Sequence, residues 1–265
     1  MNDNKINRSN KILVTVTFLA MIIVNGLANI LPINGQTTGQ VSNYYKNLFS
    51  PAAITFAIWG IIYVLLAGHT LYQLGIFRGN KSEIKSNLLH RVGIYFSISS
   101  IANGAWIFSW HYHMIPLSMV FMIVILVCLI LITKEINKYE LSLREKIFIK
   151  LPFSVYFGWI TVATIANLVT LFVSIGWNSF GTTEWMWTAV VILIGAIIGS
   201  AITIKNRDVA YGLVIIWAYI GILNKHISQG GFASLYPGII VTVSVCIVLL
   251  IIIEVYVFMI YTHNK

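Results

Sequence analysis

Glu254 is the single carboxylate inside an apolar run long enough to cross a membrane. A carboxylate in that setting is a proton or cation site by default. It also stands about two turns from the end of its run, near enough for the interface or a Lys partner to satisfy it. Both readings stay open. His111, His113 and His226 are the residue types of a metal site, but an i,i+2 pair does not share a helix face and no carboxylate accompanies it, so a loop or interface role is expected and no metal. His69 reads as a packed or interfacial histidine. Cys128 and Cys246 sit in apolar runs as small buried hydrophobes, giving neither disulfide framework nor ligand spacing. The remaining chemistry-bearing set is amide and aromatic: Asn25, Asn29, Asn103 and Asn167 with Trp59, Tyr63 and Trp106. Trp59 and Tyr63 lie four apart on one helical face. An amide facing lipid is costly, so these side chains point into a bundle and serve either as interhelical glue or as ligand contacts. Flat rings beside a few amides favour an apolar, planar ligand.

These residues are carried by membrane helices. The 265 residues are 58% hydrophobic and 9% charged, with mean hydropathy +0.85, far from the roughly one quarter charged of a soluble domain. Eight apolar segments are expected to span: 12–31, 51–75, 92–110, 115–133, 151–175, 185–204, 209–223 and 237–260. The first continues too far to be a signal peptide and is expected to stay as a transmembrane helix. The seventh is the shortest and is expected either to extend toward Arg207 or Asn224 or to be a shorter, less tilted span. The fold class is therefore all-α, a polytopic transmembrane bundle of about eight spans.

The net charge of +9 has a topological meaning. On alternate sides, the first tail, gaps 76–91, 134–150 and 205–208, and the last tail hold 3, 4, 5, 2 and 1 basic residues; the other gaps hold only Lys46 and Lys225. That bias predicts both termini in the cytoplasm and an even number of spans. The basic residues form no patch for phosphate backbones, so nucleic acid is not an expected partner. With this topology Asn25, Asn29, Trp59, Asn103, Trp106 and Asn167 share one leaflet, the outer one. Trp110, Trp177, Trp185 and Trp187 fall at outer helix ends, where an aromatic belt explains them. The gap KEINKYELSLREK reads as a solvated connector. The loop 32–50, ending in Tyr44 and Tyr45, reads as a lid. Gly195 and Gly199 permit close packing within the bundle or in a homodimer. No phosphate-binding loop, dinucleotide fingerprint, zinc-protease motif or serine elbow occurs, and neither an enzymatic activity nor a cofactor is expected.

From Trp59 to Tyr63, and again from Trp159 to Asn167, the chain resembles the TspO/MBR family, the tryptophan-rich sensory proteins whose animal relative is the translocator protein. Tyr45, Leu48, Pro51, Trp59 and Tyr63 match the tyrosine-containing loop and proline-led second helix of that family. Asn103 with Trp106, and Trp159, Ala163 and Asn167 at offsets of four and eight, match its third and fifth helices. One proline stands where the family has two, and Phe56 is offset by one residue. The resemblance covers 1–177 as a five-helix bundle, with 178–265 as an additional three-helix segment of one membrane domain. It implies a pocket under the first loop that binds a porphyrin, another haem-like tetrapyrrole or a lipid. Tyr45, Pro51, Trp59, Tyr63, Asn103, Trp106, Trp159 and Asn167 are then the ligand-binding residues, in a receptor or carrier of a bacterial plasma membrane. Two other classes remain: a proton-coupled secondary transporter using Glu254, and a structural or assembly protein whose amides only join helices.

Overall fold

The computed structural model describes residues 8–77, 86–177 and 183–263, with side chains to 260. The basic tail before Arg8, much of the gap 76–91 and the polar stretch 178–182 lie outside the described residues. The helices are α1 (Arg8–Ile30), α2 (Thr38–Tyr44), α3 (Ile58–Leu74), α4 (Ser86–His111), α5 (Ile115–Ile136), α6 (Leu143–Glu145), α7 (Leu151–Ser174), α8 (Glu184–Asn206), α9 (Val209–Ile227) and α10 (Pro237–His263). Short 3₁₀ turns at Ile33–Gly35 and Ala53–Ala57 flank α2 and lead into α3. Among the described residues, eight helical segments are long and apolar enough to cross a membrane, and the protein is an all-helical integral membrane bundle.

Two spans start earlier than their apolar runs. α4 begins at Ser86 because Leu88 and Leu89 are already buried. The fifth span begins at Leu143, so the stretch expected as a solvated connector is partly helical. Ser142 and Glu145 form a reciprocal capping box: the serine hydroxyl accepts from the Glu145 N–H, and the Glu145 carboxylate accepts from the Ser142 N–H at 2.8 Å. A single π turn, Lys146–Lys150, then joins α6 to α7. Two initial donors are thereby satisfied, which lets the helix start in polar surroundings before its apolar face begins. The short seventh span does extend, reaching Ile227.

The chain forms two compact units: 1–41 with 59–157, and 42–58 with 158–265. Compactness thus does not divide the chain at 177. In the first unit, α4 is the central element and packs on both α1 and α5. Its core includes Val14, Phe18, Met21, Phe96, Ile107 and Ile125. A second polar network lies here: Gln73 donates to Asn10 at 2.6 Å and to the Leu89 carbonyl at 3.1 Å, while Asn10 donates to the His90 carbonyl. His69 is fully buried, with Nδ1 2.8 Å from the Phe148 carbonyl and its ring edge-on to Phe96 and Phe153.

In the second unit, α10 packs against α8 and α9. Small residues set the spacing. A side chain at Gly158 would meet the Tyr211 carbonyl at 2.8 Å, one at Gly199 would meet Ile215 at 2.9 Å, and one at Gly195 would meet the Tyr219 hydroxyl at 2.7 Å. The Gly195 and Gly199 pair is therefore used for packing within the unit. Tyr211 donates to Thr161 and Tyr219 to the Ile192 carbonyl at 2.6 Å, so each buried phenol has an acceptor.

Candidate functional site

Four of the eight expected ligand-binding residues lie in the first unit. Asn25 of α1 and Asn103 of α4 are both buried, and the Asn25 amide donates to Asn103 Oδ1 at 2.6 Å. Asn103 in turn donates through Nδ2 to the hydroxyl of Tyr156 on α7 at 3.3 Å. The ring of Tyr156 meets Trp59 of α3 edge-on, with centroids 6.0 Å apart. Trp59 stacks on Tyr63 one turn along, at 5.5 Å and 21°. The result is a continuous line, Asn25, Asn103, Tyr156, Trp59 and Tyr63, drawn from four helices. Its amide end is buried, while the two stacked rings are only half-buried. Asn29, by contrast, is exposed and donates to the Asn25 carbonyl on its own helix.

Trp106 is buried and stacks on Trp110 at 5.4 Å, so it supports the interior of α4. Trp110 corrects an expectation. It does not serve an aromatic belt: it is 5% exposed and its indole N–H donates to the Thr38 carbonyl at 3.2 Å. His111 beside it is fully buried, 3.0 Å from the Thr38 hydroxyl through Nε2, and its carbonyl accepts from Asn34. Together they fasten the start of the first loop to the end of α4.

The other four expected residues, Tyr45, Pro51, Trp159 and Asn167, lie in the second unit. Of the loop 32–50, expected as a lid, residues 42–50 belong with 51–58 to a segment tied to α9. Asn47 folds its tip by accepting from the Phe49 N–H, the Ser50 N–H and the Ser50 hydroxyl, while its amide donates to the Tyr45 carbonyl. Such a turn leaves Leu48 and Phe49 pointing into the interior. Three long-range bonds then hold the segment: the Ala52 N–H to the Gly221 carbonyl at 3.0 Å, the Trp217 indole to the Thr55 carbonyl at 3.0 Å, and His226 Nε2 to the Leu48 carbonyl at 2.9 Å. Gly221 is required there, since any side chain would run into Thr55.

Pro51 is buried within this anchored stretch, and Phe56 meets Trp159 edge-on at 5.6 Å. Asn167 is buried. Tyr45 is half-buried and packs edge-on to the exposed Tyr44 at 5.0 Å. Burial, and then the neighbouring Tyr44, push its phenol above the ordinary value, so it is a neutral hydrogen-bonding group at neutral pH.

Tyr156 is the member of this line that sequence reasoning missed. A signal for it existed: a phenol within an apolar run, three residues before Trp159, needs a partner as much as an asparagine does. The Gly221 and Trp217 anchors of the loop were hidden, because their partners, the Ala52 N–H and the Thr55 carbonyl, are backbone groups more than 160 residues away in sequence.

The family model described as TSPO-like protein matches residues 11–256. Searches of curated proteins and of solved structures return no match. The matched stretch carries the Trp59 and Asn103 line of one unit, the Pro51 loop of the other, and all three of α8, α9 and α10 up to residue 256. This membrane protein therefore belongs to the TSPO-like protein family.

Proposed function

We propose that this TSPO-like membrane protein binds a flat, largely apolar ligand, a tetrapyrrole or a lipid with a planar ring system, on the stacked rings of Trp59 and Tyr63. The observation that carries this reading is the graded line itself: half-buried stacked rings at one end and a buried, hydrogen-bonded amide pair at the other. An indole and a phenol that are already parallel present one extended π surface to a planar ligand without rearrangement. Asn103 does not touch the ligand in this account. It orients Tyr156, whose ring edge in turn holds Trp59. A site of this kind suits a sensor or carrier and contains no group poised for covalent chemistry.

The basic residues of the chain support a plasma-membrane orientation with both termini cytoplasmic, fifteen flanking one set of gaps and two the other. Protoporphyrin IX titrated against the purified protein, followed by quenching of tryptophan fluorescence, tests the site. Trp59→Leu is expected to weaken binding at least tenfold, about 1.4 kcal/mol, and Asn103→Leu to weaken it less. Equal affinity in Trp59→Leu and the parent protein would remove the rings from the site.

A further inference from the structure

Glu254 has no role in the line of rings and amides, and its surroundings are unlike those of any other carboxylate in the described residues. It lies on α10, is 7% exposed, and neither of its oxygens has a hydrogen-bond partner among the described residues. Glu135 and Glu145, also buried, are by contrast paired, with Lys138 and Arg91 and with Ser142. The Glu254 carboxyl is aimed at α9. It fills the notch left by the missing side chain of Gly212, where a methyl group would collide with Oε1 and would lie 2.9 Å from Thr203 Oγ1 of α8. The Thr203 proton is committed to the Gly199 carbonyl at 2.8 Å, so this hydroxyl offers Glu254 no donor.

Among the described residues, no cation compensates the carboxyl from the elements packed on it. On α8 Lys205 is exposed, as is Arg207 in the turn that follows, and Glu184 begins the far end. At the N-cap of α9 stands Asp208, buried and within electrostatic reach of Glu254. Tyr211 and Tyr219 give their hydroxyl protons to Thr161 and Ile192, and Lys225 and His226 stand at the opposite end of the helix. On α10 itself Tyr256 is exposed. An ionised carboxylate with no donor and a second carboxylate nearby is costly in an apolar interior, whereas a carboxylic acid is tolerated.

We propose that Glu254 is a proton-binding site whose carboxyl, seated in the Gly212 notch beside Thr203, takes up and releases a proton on the side of the α8–α9 turn. The step is simple protonation: a proton passes from hydronium to a Glu254 oxygen, leaving water, and the reverse step regenerates the carboxylate. The donor set favours a proton over a metal ion. The two Glu254 oxygens and one hydroxyl are fewer than the roughly six oxygens that a hard cation takes, and no group of three His, Cys, Asp or Glu gathers among the described residues. Asp208 caps α9 by accepting from the Tyr211 N–H at 3.2 Å, so this second carboxyl stands in the α8–α9 turn.

Infrared spectra of the purified protein in lipid, compared in H₂O and D₂O at neutral pH, test the assignment. The expected result is a carbonyl band of a buried protonated carboxyl that disappears in Glu254→Gln and shifts in Gly212→Ala. A carbonyl region identical in the parent and in Glu254→Gln would overturn it. Thermal unfolding gives an independent reading that needs no altered notch. The parent protein should lose stability as pH rises from the ordinary carboxylate range to the point where the buried carboxyl ionises, and Glu254→Gln should lose less over that range; equal losses would also count against the proposal. Protoporphyrin binding should be unchanged in Glu254→Gln, which keeps this test separate from that of the Trp59 site.

Discussion

At the scale of single residues, the protein places its polar groups in pairs. Asn25 donates to Asn103 across α1 and α4, and Asn103 donates in turn to Tyr156. Interhelical hydrogen bonds in membranes average about 0.6 kcal/mol and reach about 1.7 kcal/mol, because the separated helices also find partners. A double-mutant cycle of Asn25→Ala and Asn103→Ala should therefore give a coupling of about 0.6–1.7 kcal/mol in unfolding free energy. A coupling indistinguishable from zero would mean that the 2.6 Å bond contributes nothing. The asparagines were legible in the sequence because an amide in an apolar run must bond inside the bundle. Their partner on α7 was not, since nothing local in the sequence says which of thirteen tyrosines faces α4.

At the scale of elements, helix starts and loops are decided by a few specific contacts. Ser142 and Glu145 begin the fifth span, and that start was readable as an S-x-x-E capping box ahead of an apolar run. Ser142→Ala is expected to cost about 0.5–2 kcal/mol, the usual loss of a cap, measurable by thermal unfolding. The loop carrying Tyr45 and Pro51 depends instead on α9. Gly221→Ala should push Thr55 away, break the Ala52 and Trp217 bonds, and raise amide hydrogen exchange at residues 47–57. Gly104, whose added methyl would meet nothing within 4 Å, is the matching control, and Gly104→Ala should leave exchange unchanged. Apolar periodicity could not reveal this anchoring. α10 is apolar nearly all the way round, with exposed Val245, Leu249, Ile252 and Val255 on faces that lipid covers in a membrane, so its pattern does not say which side meets α8 or α9.

At the scale of the whole molecule, the eight spans follow from length and hydropathy, and the sequence resemblance agrees with the TSPO-like family that the chain belongs to. The division into two compact units follows from neither, because segment 42–58 groups with 158–265 rather than with its neighbours in sequence. The family match also runs through α8 and α9 and into α10, so these helices are part of its pattern. Charge bias predicts that Asn43 and Glu140 face opposite sides of the membrane. Cys128 and Cys246 are buried and should give little background. Asn43→Cys is expected to react with an impermeant maleimide in intact cells, and Glu140→Cys only after permeabilisation. The reverse pattern would invert the topology.

The most direct test of the central claim is native mass spectrometry of the protein taken from its own membrane. Parent protein should carry a flat, largely apolar ligand at a 1:1 ratio, lost in Trp59→Leu and retained in Glu254→Gln. Bare parent protein, or ligand retained undiminished in Trp59→Leu, would contradict the assignment of Trp59 and Tyr63 as the ligand surface.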